Sequence, residues 1–513
     1  MGGLDESLSF IEDSLRVGVV EYKSILGGRG RKAEEQTVQD LRIVELLADI
    51  LGGEEDEFLK SLYLEQLDSE EVAVFRLSVF QDLLRDEVYG AVKDFVSKIR
   101  RCMKLIDLEK DVYEQHKIGF HLDAALIYVE ALESFYNSLK ALKVGSEGFT
   151  QLLNYLQGIV EGAYFRSMKE RAYEARKARD RIKVRVRIAG DEIRVWKYDG
   201  GENLSALIEE IFSIFKEGEE EEVRYIKTVE ETSHVHAAIL EGAFHVYRRE
   251  YEILKKFMED FPVIVDEGVA SFVKEVGFYL TYIEYMRRIG KRGYPFSIPS
   301  FTKDGSMHVR GFYNLLLAKS GTVVPNDIDT DGVKRIFVIT GMNGGGKTTF
   351  AVSLGQLVYL SKLGLPVPAT EAKIPFFNSI MTLFPVGEDV WESMSRLEQD
   401  VVRALNILKQ ANSSSLVVAN EPFSTTTSDE GFHLAKLFLE ELHRKGSFCL
   451  LVTFIPRVAS LDFVISLVAM PSLEDPGKPS YKILPGSPPS EYTAIRIAAR
   501  YKLLYNDLMG VLG

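Results

Sequence analysis

A glycine-rich segment at residues 341–348 has the composition and spacing of a phosphate-binding loop. It reads Gly-Met-Asn-Gly-Gly-Gly-Lys-Thr, which fits the pattern of glycine, any four residues, glycine, lysine and then threonine or serine. An apolar, β-branched run at 335–340 precedes it and an apolar stretch at 349–363 follows it, which predicts a buried strand and a covered helix. A plain turn between two core elements is the alternative. The agreement between the motif and its flanks favours nucleotide binding.

Such a loop binds phosphates through backbone N–H groups and through the partial positive charge of the helix that follows it. Lys347 should reach the β- and γ-phosphates of ATP, and Thr348 should hold Mg²⁺ through its hydroxyl. The residues predicted to bind the nucleotide are Gly341, Asn343, Gly344, Gly345, Gly346, Lys347, Thr348 and Thr349.

A second strand pattern ends in residues suited to ATP hydrolysis. Residues 415–419 begin with a serine and continue as an apolar run, and Asn420 and Glu421 follow them. Glu421 is the predicted catalytic residue, because a carboxylate at this place polarises the attacking water. Asn420 stands where an aspartate is usual, so we expect it to hold Mg²⁺ through a water without adding charge. The pattern predicts an ATPase of weak turnover, and a core strand ending in a polar turn is the alternative.

Length, charge and cysteine content limit the classes of protein to which the chain can belong. The chain has 513 residues, 46% of them hydrophobic, and a net charge of −14, which predicts several domains and excludes an evenly basic surface but not a local basic patch. Its two cysteines, Cys102 and Cys449, are far apart and form neither a disulfide framework nor a zinc motif, so we expect a reducing, cytoplasmic compartment. No signal-peptide pattern or run of membrane-spanning length is present, so we expect no membrane role.

Hydrophobic periodicity divides the chain into three parts. Residues 1–110 are predicted to be a helical core. Residues 111–289 are predicted to form two long helical arms with a small β-containing tip at about 181–228. A linker rich in glycine and proline follows, and strand and helix patterns alternate over the remainder of 290–513, as they do in α/β domains.

The tip carries a local reversal of charge. Between Arg166 and Lys197 there are twelve Lys or Arg residues against five Asp or Glu. The alternation from 181 to 188 predicts a strand with one basic face, a turn at 189–192 and a returning strand that carries Trp196 and Tyr198. A basic face of this kind contacts successive nucleic-acid phosphates, or alternatively protects an edge strand by charge. The residues predicted to bind DNA are Arg181, Lys183, Arg185 and Arg187.

The segment from Gly341 to Gly431 resembles the ATPase domain of the MutS family, the ATP-driven DNA mismatch-repair clamps in the ABC-type branch of P-loop ATPases. Val324 to Asp327 also matches a family segment, one near the adenine. The matching residues are Asn343 with Gly345 and Gly346, Val367-Pro368-Ala369, Glu388-Asp389, Ser395 to Asp400, Ile407-Leu408, Ser415-Leu416-Val417, Asn420-Glu421 and Thr426 to Gly431.

The resemblance implies a fold and partners for the whole chain. It implies a multidomain protein with an all-α core, long lever helices and a β-containing clamp tip, followed by an α/β P-loop ATPase domain. It further implies a homodimer in which Ser395 completes the nucleotide site of the other subunit in trans. The partner implied is double-stranded or branched DNA, including mismatched DNA, in DNA repair or recombination. The resemblance does not extend to the family's N-terminal mismatch-reading domain, so we expect that domain to be lacking.

The departures from the family pattern leave three functions open. Asn420 replaces an aspartate, and Phe454 replaces the histidine of a Thr-His pair. Residues 422–424 replace a glycine/arginine turn, and Val323 replaces an aromatic residue that stacks on adenine. These positions concern catalysis or base contact, whereas the phosphate loop is intact, so ATP binding is better supported than hydrolysis. The functions are an ATP-controlled DNA clamp, a nucleotide-binding switch or scaffold for a protein partner, and an ABC-type ATPase without a nucleic-acid role.

Overall fold

The computed structural model describes residues 21–53, 56–189, 192–200, 230–385, 395–475 and 478–488. The helices are α1 (Glu35–Asp40), α2 (Ile43–Leu51), α3 (Glu57–Tyr63), α4 (Glu70–Leu83), α5 (Asp86–Leu108), α6 (Glu114–Leu142), α7 (Glu147–Val160), α8 (Ala163–Arg181), α9 (Glu230–Val246), α10 (Arg248–Asp260), α11 (Glu267–Gly290), α12 (Leu315–Ser320), α13 (Lys347–Lys362), α14 (Arg396–Gln410) and α15 (Ser428–Arg444). The strands are β1 (Arg31–Lys32), β2 (Glu65–Gln66), β3 (Val184–Ala189), β4 (Glu192–Lys197), β5 (Ser300–Thr302), β6 (Met307–Phe312), β7 (Asn326–Thr330), β8 (Ile336–Gly341), β9 (Glu371–Pro375), β10 (Ser379–Leu383), β11 (Ser415–Asn420), β12 (Phe448–Val452), β13 (Val464–Pro471) and β14 (Pro479–Pro485). Within these ranges no helix combines the length and the apolar character that a bilayer crossing requires.

Contacts group the described residues into two compact units. The first contains residues 86–144 and 150–273, and the second contains 24–85, 145–149 and the residues from 274 onward. Residues 24–85 therefore belong to the same unit as the glycine-rich loop at 341–348. The predicted domain limits differ, because they place residues 24–85 in one domain with residues 86–110.

Stacked rings and small side chains hold the helices of the first unit together. Phe95 of α5 stacks on Phe135 of α6 with the ring centroids 4.1 Å apart. Buried alanines recur at helical spacing along α8, at Ala172, Ala175 and Ala178, and this face packs against α6 and α10. Alanine keeps the helix propensity high and lets neighbouring backbones approach closely. The helical prediction for this part of the chain is confirmed between residues 86 and 181.

Strand β3 begins at Val184, later than the basic alternation predicts. Arg181 is the last residue of helix α8, and Lys183 lies between the helix and the strand. The helix persists because its sequence is rich in alanine, lysine and arginine, and it ends at Ile182, whose φ of −74° and ψ of 97° are extended. The prediction that Arg181 shares a strand face is therefore wrong. Two parts of the predicted tip lie outside the described residues. They are residues 190–191 of the predicted turn and residues 201–228.

A six-stranded sheet forms the centre of the second unit, in the order β10-β11-β12-β8-β13-β14. Neighbouring strands are parallel except for β14, which runs antiparallel to β13. Strands β8, β11 and β12 are buried almost throughout, which explains why their sequences are continuous apolar runs without alternation. A separate four-stranded sheet has the order β5-β9-β6-β7. The predicted multidomain protein with an α/β C-terminal part is confirmed.

Helix α13 is buried from Phe350 to Lys362, including the polar residues of that stretch. Gln356 Nε2 donates to the Leu41 carbonyl at 2.9 Å, and Tyr359 Oη donates to the Tyr63 carbonyl at 2.9 Å. Lys362 Nζ donates to the Leu67 carbonyl and lies 5.4 Å from the ring centroid of Phe376. Polar side chains inside the core are tolerated because each finds a backbone acceptor. Residues 24–85 therefore cover the helix that follows the phosphate-binding loop.

Raising the pH from about 8 to about 10.5 is expected to increase the free energy of unfolding through Lys362. Burial lowers the pKa of this amine from 10.5 to about 8, against a smaller opposing effect of Asp68. Between those values the unfolded chain binds a proton that the folded chain does not, so stability rises with pH by up to about 3 kcal/mol. Urea unfolding of the wild type and of Lys362→Met across this range measures the difference. Parallel stability curves for the two proteins would contradict this expectation.

Candidate nucleotide-binding site

The turn between β8 and α13 forms an open cradle. Gly341 has a φ of 115° and Gly346 a φ of 88°, in the left-handed region that favours glycine. A Cβ on Gly341 would lie 2.9 Å from the Ala469 carbonyl oxygen, so the close approach of β13 also requires glycine there. No side chain caps the N-terminus of α13. Its first N–H groups are thus left for a ligand, as an anion site requires.

Lys347 lies at the floor of this cradle and is 5% exposed. Its Nζ donates to the carbonyls of Gly341 at 3.1 Å and Met342 at 3.0 Å. The same atom lies 4.5 Å from the ring centroid of Phe454, which makes a cation–π contact. Burial lowers the pKa of Lys347, and the nearby Glu421 carboxylate opposes that shift. The lysine is held in place by backbone acceptors and by the residue that stands at the family's histidine position.

Thr348 and Asn420 meet although they are 72 residues apart in the chain. Thr348 Oγ1 donates to Asn420 Oδ1 at 2.8 Å, since β11 ends beside the start of α13. A hydroxyl and an amide oxygen are ligands that suit Mg²⁺, directly or through water. Among the described residues no group of three or more His, Cys, Asp or Glu side chains is placed to hold a metal. The hydroxyl of Thr348 and the amide oxygen of Asn420 therefore fit a Mg²⁺ ion, and neither group brings a charge to it.

Glu421 stands in a strained turn at the end of β11. Its φ is 52°, and its backbone N–H donates to the Val452 carbonyl at 2.8 Å. Burial raises the pKa of its carboxyl, and Lys347 partly opposes the shift. Phe423 also has a positive φ, of 59°, and its N–H donates to Asp400 Oδ2 at 3.0 Å. A non-glycine residue in this region costs roughly 1–3 kcal/mol and is found mostly at functional sites. Through this hydrogen bond, Asp400 stabilises the turn that positions Glu421.

These elements enclose a cavity of about 510 Å³. The predicted residues from Asn343 to Thr349 and Glu421 line it, together with Phe454. Asn420 reaches it through its hydrogen bond to Thr348, and Gly341 supplies the carbonyl that holds Lys347. The structure thus brings the predicted phosphate, metal and catalytic residues to one place.

Sequence reasoning missed Tyr481, which lines the same cavity. A Cβ on Gly346 would lie 3.5 Å from Tyr481 Cδ1, so this ring stands next to the phosphate loop, and it is 51% exposed. Asn326 fixes its strand by donating to the Tyr481 carbonyl at 3.0 Å and accepting from the Ile483 N–H at 2.8 Å. Val323, at the position where the family stacks an aromatic residue, also lines the cavity. Tyr481 is thus an aromatic side chain of this cavity, next to the glycine-rich loop.

Comparison with known proteins agrees with this geometry. The family model for MutS domain V matches residues 337–474, from β8 to just beyond β13. Residues 337–474 belong to the MutS domain V family. Endonuclease MutS2 of Bacillus velezensis is 31% identical over 194 residues, which cover 37% of this chain and 25% of that protein. DNA mismatch repair protein MutS of Pseudothermotoga lettingae is 27% identical over 208 residues, covering 39% and 26%.

The DNA mismatch repair protein MutS of Lactobacillus delbrueckii subsp. bulgaricus is 28% identical over 263 residues, which are 50% of this chain and 30% of that protein. The matched segment spans about a quarter of the length of the first two relatives. Tyr481 lies beyond the residues that the MutS domain V model matches, and β14 brings it back to the site.

Ser395 caps the first turn of α14 in this MutS-family domain. Its Oγ accepts from the Glu398 N–H at 3.3 Å, and Glu398 Oε2 accepts from the Ser395 N–H at 2.9 Å, forming a capping box. Ser395 is exposed and does not line the cavity described above. Its predicted role in trans stays a prediction. The Glu388-Asp389 pair lies outside the described residues.

Proposed function

We propose that this chain is a MutS-family ATPase that binds ATP with Mg²⁺ and couples its nucleotide state to DNA binding in repair or recombination. One cavity in which Lys347, Thr348 and Glu421 converge carries the proposal. Lys347 and the N–H groups at the start of α13 bind the phosphates, while Thr348 and Asn420 hold Mg²⁺. When bound, Mg²⁺ neutralises charge on the phosphates.

Hydrolysis in this site depends on Glu421 and is slow. The carboxylate orients and polarises water at the γ-phosphate end of the cavity, and its aim is set by the strained turn that Asp400 holds. Asn420 brings no charge to the metal, and the Phe454 ring has no hydrogen-bonding group to offer the reacting phosphate. Both departures remove polar assistance without disturbing the phosphate cradle.

DNA and a second copy of this chain are the proposed partners. The relatives, an endonuclease and mismatch repair proteins, support DNA as the ligand. The basic residues around the β3–β4 hairpin support the same assignment, with Lys183, Arg185 and Arg187 as the proposed phosphate contacts. Ser395, exposed at the start of α14, is the proposed contact to the nucleotide of the other subunit. Direct mismatch reading is not part of the proposal. The buried free cysteines, Cys102 and Cys449, accord with a cytoplasmic protein.

Steady-state ATP hydrolysis with Mg²⁺, without DNA and with linear or branched DNA, tests the proposal. We expect slow turnover that DNA stimulates and that Glu421→Gln reduces by about 100-fold or more, with ATP binding retained. Glu440→Gln, which removes an exposed carboxylate of α15, is the matched control and should keep full turnover. Equal turnover in Glu421→Gln and the wild type would contradict the role of Glu421.

A second function is favoured by the neutral Asn420 and by the Phe454 ring over Lys347. In this alternative the chain is a nucleotide-binding switch or scaffold that acts on a protein partner with little or no hydrolysis. ATP binding without turnover above the Glu421→Gln level would favour the switch, and DNA-stimulated turnover would exclude it.

A further inference from the structure

The β3–β4 hairpin has two different faces. Arg185 pairs with Trp196 and Arg187 pairs with Arg194 across the strands. Because side chains alternate along a strand, these four residues share one face. We name it the arginine–tryptophan face. All four are exposed.

The opposite face of the hairpin is the one that packs on the protein. Val186 pairs with Val195 there, and both are partly buried. A Cβ on Gly242 of α9 would lie 2.7 Å from Val195 Cγ2, so helix and strand are in close contact. The hairpin is further held by Tyr247, whose hydroxyl donates to the Lys183 carbonyl at 2.8 Å. The hairpin is thus anchored through its apolar face, and the arginine–tryptophan face is left for another role.

The charges of this face are not arranged for stability. Arg187 stands directly opposite Arg194, and like charges in such a pair are destabilising. Arg194 pairs with Glu192 at 2.9 Å and Arg185 with Asp199 at 3.4 Å, both at exposed positions where ion pairs contribute little. Within the described ranges the Arg187 guanidinium has no hydrogen bond or ion pair. A ligand with several negative charges would relieve this repulsion.

Trp196 indicates which polyanion fits. Its side chain is 44% exposed beside three guanidinium groups, although the hairpin already buries its other face. The phosphates of a paired duplex, or the carboxylates of an acidic peptide, require only the cations. A flat aromatic ring among cations is the arrangement that stacks on unpaired bases while the charges follow the backbone. Tyr198, 42% exposed, continues the alternation just beyond β4.

We propose that the arginine–tryptophan face binds DNA that exposes unpaired bases, with Trp196 stacked on a base and Arg185, Arg187 and Arg194 contacting the flanking phosphates. The inference rests on the proposed function, because it specifies the form of DNA that the tip selects. Single strands, forks and junction openings offer such bases, and a blunt duplex offers them only at its ends. The face therefore distinguishes open from fully paired DNA.

The chain offers a direct spectroscopic test, because Trp196 and Trp391 are its two tryptophans. In a Trp391→Phe background, Trp196 is the sole source of indole fluorescence. We expect a single-stranded oligonucleotide and a forked DNA to quench this emission at low salt, and a blunt duplex of equal length to leave it nearly unchanged. Dissociation constants from fluorescence anisotropy accompany each titration, and Trp391→Phe alone should bind as the wild type does.

Substitutions at the face then separate stacking from charge. Trp196→Ala should weaken binding of single-stranded and forked DNA by about 5- to 150-fold, the range measured for one base stacked on an aromatic residue, with little effect on a blunt duplex. Trp196→Phe should restore part of that affinity, because a smaller aromatic ring still stacks. Arg187→Gln should weaken both forms of DNA and reduce the salt dependence of binding.

Three outcomes would overturn the inference, and they differ from failure of the proposed function. Unquenched Trp196 emission with normal DNA binding would remove the stacking role and leave the DNA-binding function standing. Equal loss of single-stranded and duplex binding in Trp196→Ala would make the residue a structural part of the hairpin. Binding of poly-glutamate in preference to DNA would assign the face to an acidic protein. If no DNA form bound at low salt, the proposed function itself would fail.

Discussion

Lys347→Met is expected to weaken ATP binding by about 100-fold or more. Lys347 Nζ lies within 3.1 Å of two loop carbonyls at the floor of the cavity, where we propose that the phosphates of a nucleotide bind. Each charge-assisted hydrogen bond from a lysine to a phosphate contributes about 1.5–3 kcal/mol, so the loss of two such bonds accounts for a factor of this size. Isothermal titration calorimetry with a non-hydrolysable ATP analogue and Mg²⁺ measures the change.

The fold should survive this substitution. Methionine has a similar length and replaces an amine whose pKa burial already lowers, so the protein loses a desolvated charge along with two hydrogen bonds. The matched control is Lys436→Met, which removes a half-exposed lysine of α15 and should leave ATP affinity unchanged. ATP affinity in Lys347→Met equal to that of the control would refute the assignment of the phosphate-binding loop.

Arg76→Met is expected to lower the free energy of unfolding of the second unit by about 3–5 kcal/mol. Arg76 is 1% exposed, and its guanidinium donates to the carbonyls of Leu26 at 3.0 Å, Gly28 at 2.8 Å and Leu363 at 3.0 Å. Removing the donors leaves two buried acceptors and one partly buried acceptor unsatisfied, at about 1–3 kcal/mol each, partly offset because the buried charge is lost as well. The Leu363 carbonyl lies at the C-terminal end of α13, where a cation is also favourable.

Arg76→Lys should rescue little of this loss. The three carbonyls come from two separate segments, and a single ammonium group cannot reproduce the planar fork that meets them. Urea denaturation followed by circular dichroism measures all variants, and Lys60→Met, an exposed substitution on α3, should stay within about 0.5 kcal/mol of the wild type. Wild-type stability in Arg76→Met would show that the carbonyls find other donors.

Local pattern was sufficient for the elements that hold the phosphate loop. Strand 335–340 and helix 349–363 were predicted, and the structure has β8 at Ile336–Gly341 and α13 at Lys347–Lys362. Glycine positions and apolar runs determine structure over a few neighbouring residues, so these elements can be predicted from the sequence without knowledge of the fold. The basic alternation before the hairpin led to a wrong strand prediction at Arg181. Helix α8 continues through Arg181, although this residue also fits the strand pattern.

The contacts that complete the site depend on tertiary structure. The meeting of Thr348 with Asn420 requires the parallel order of β8, β12 and β11, and Tyr481 arrives through the antiparallel pairing of β14 with β13. Arg187 likewise lies opposite Arg194 only because of the register of the hairpin, and a shift of one residue in that register would separate the pair.

By itself the sequence determined the chemistry available to this protein: a glycine-rich loop with the pattern of a phosphate-binding loop, a carboxylate with a neutral neighbour at the end of an apolar strand, and a local excess of arginine and lysine. The tertiary structure decided which of those groups meet. It buried α13 under residues 24–85, bent Glu421 into a strained turn and placed Trp196 among arginines. The division has a physical reason. Residue type sets what a side chain can bind, whereas strand order, register and helix packing join positions that lie far apart in the chain.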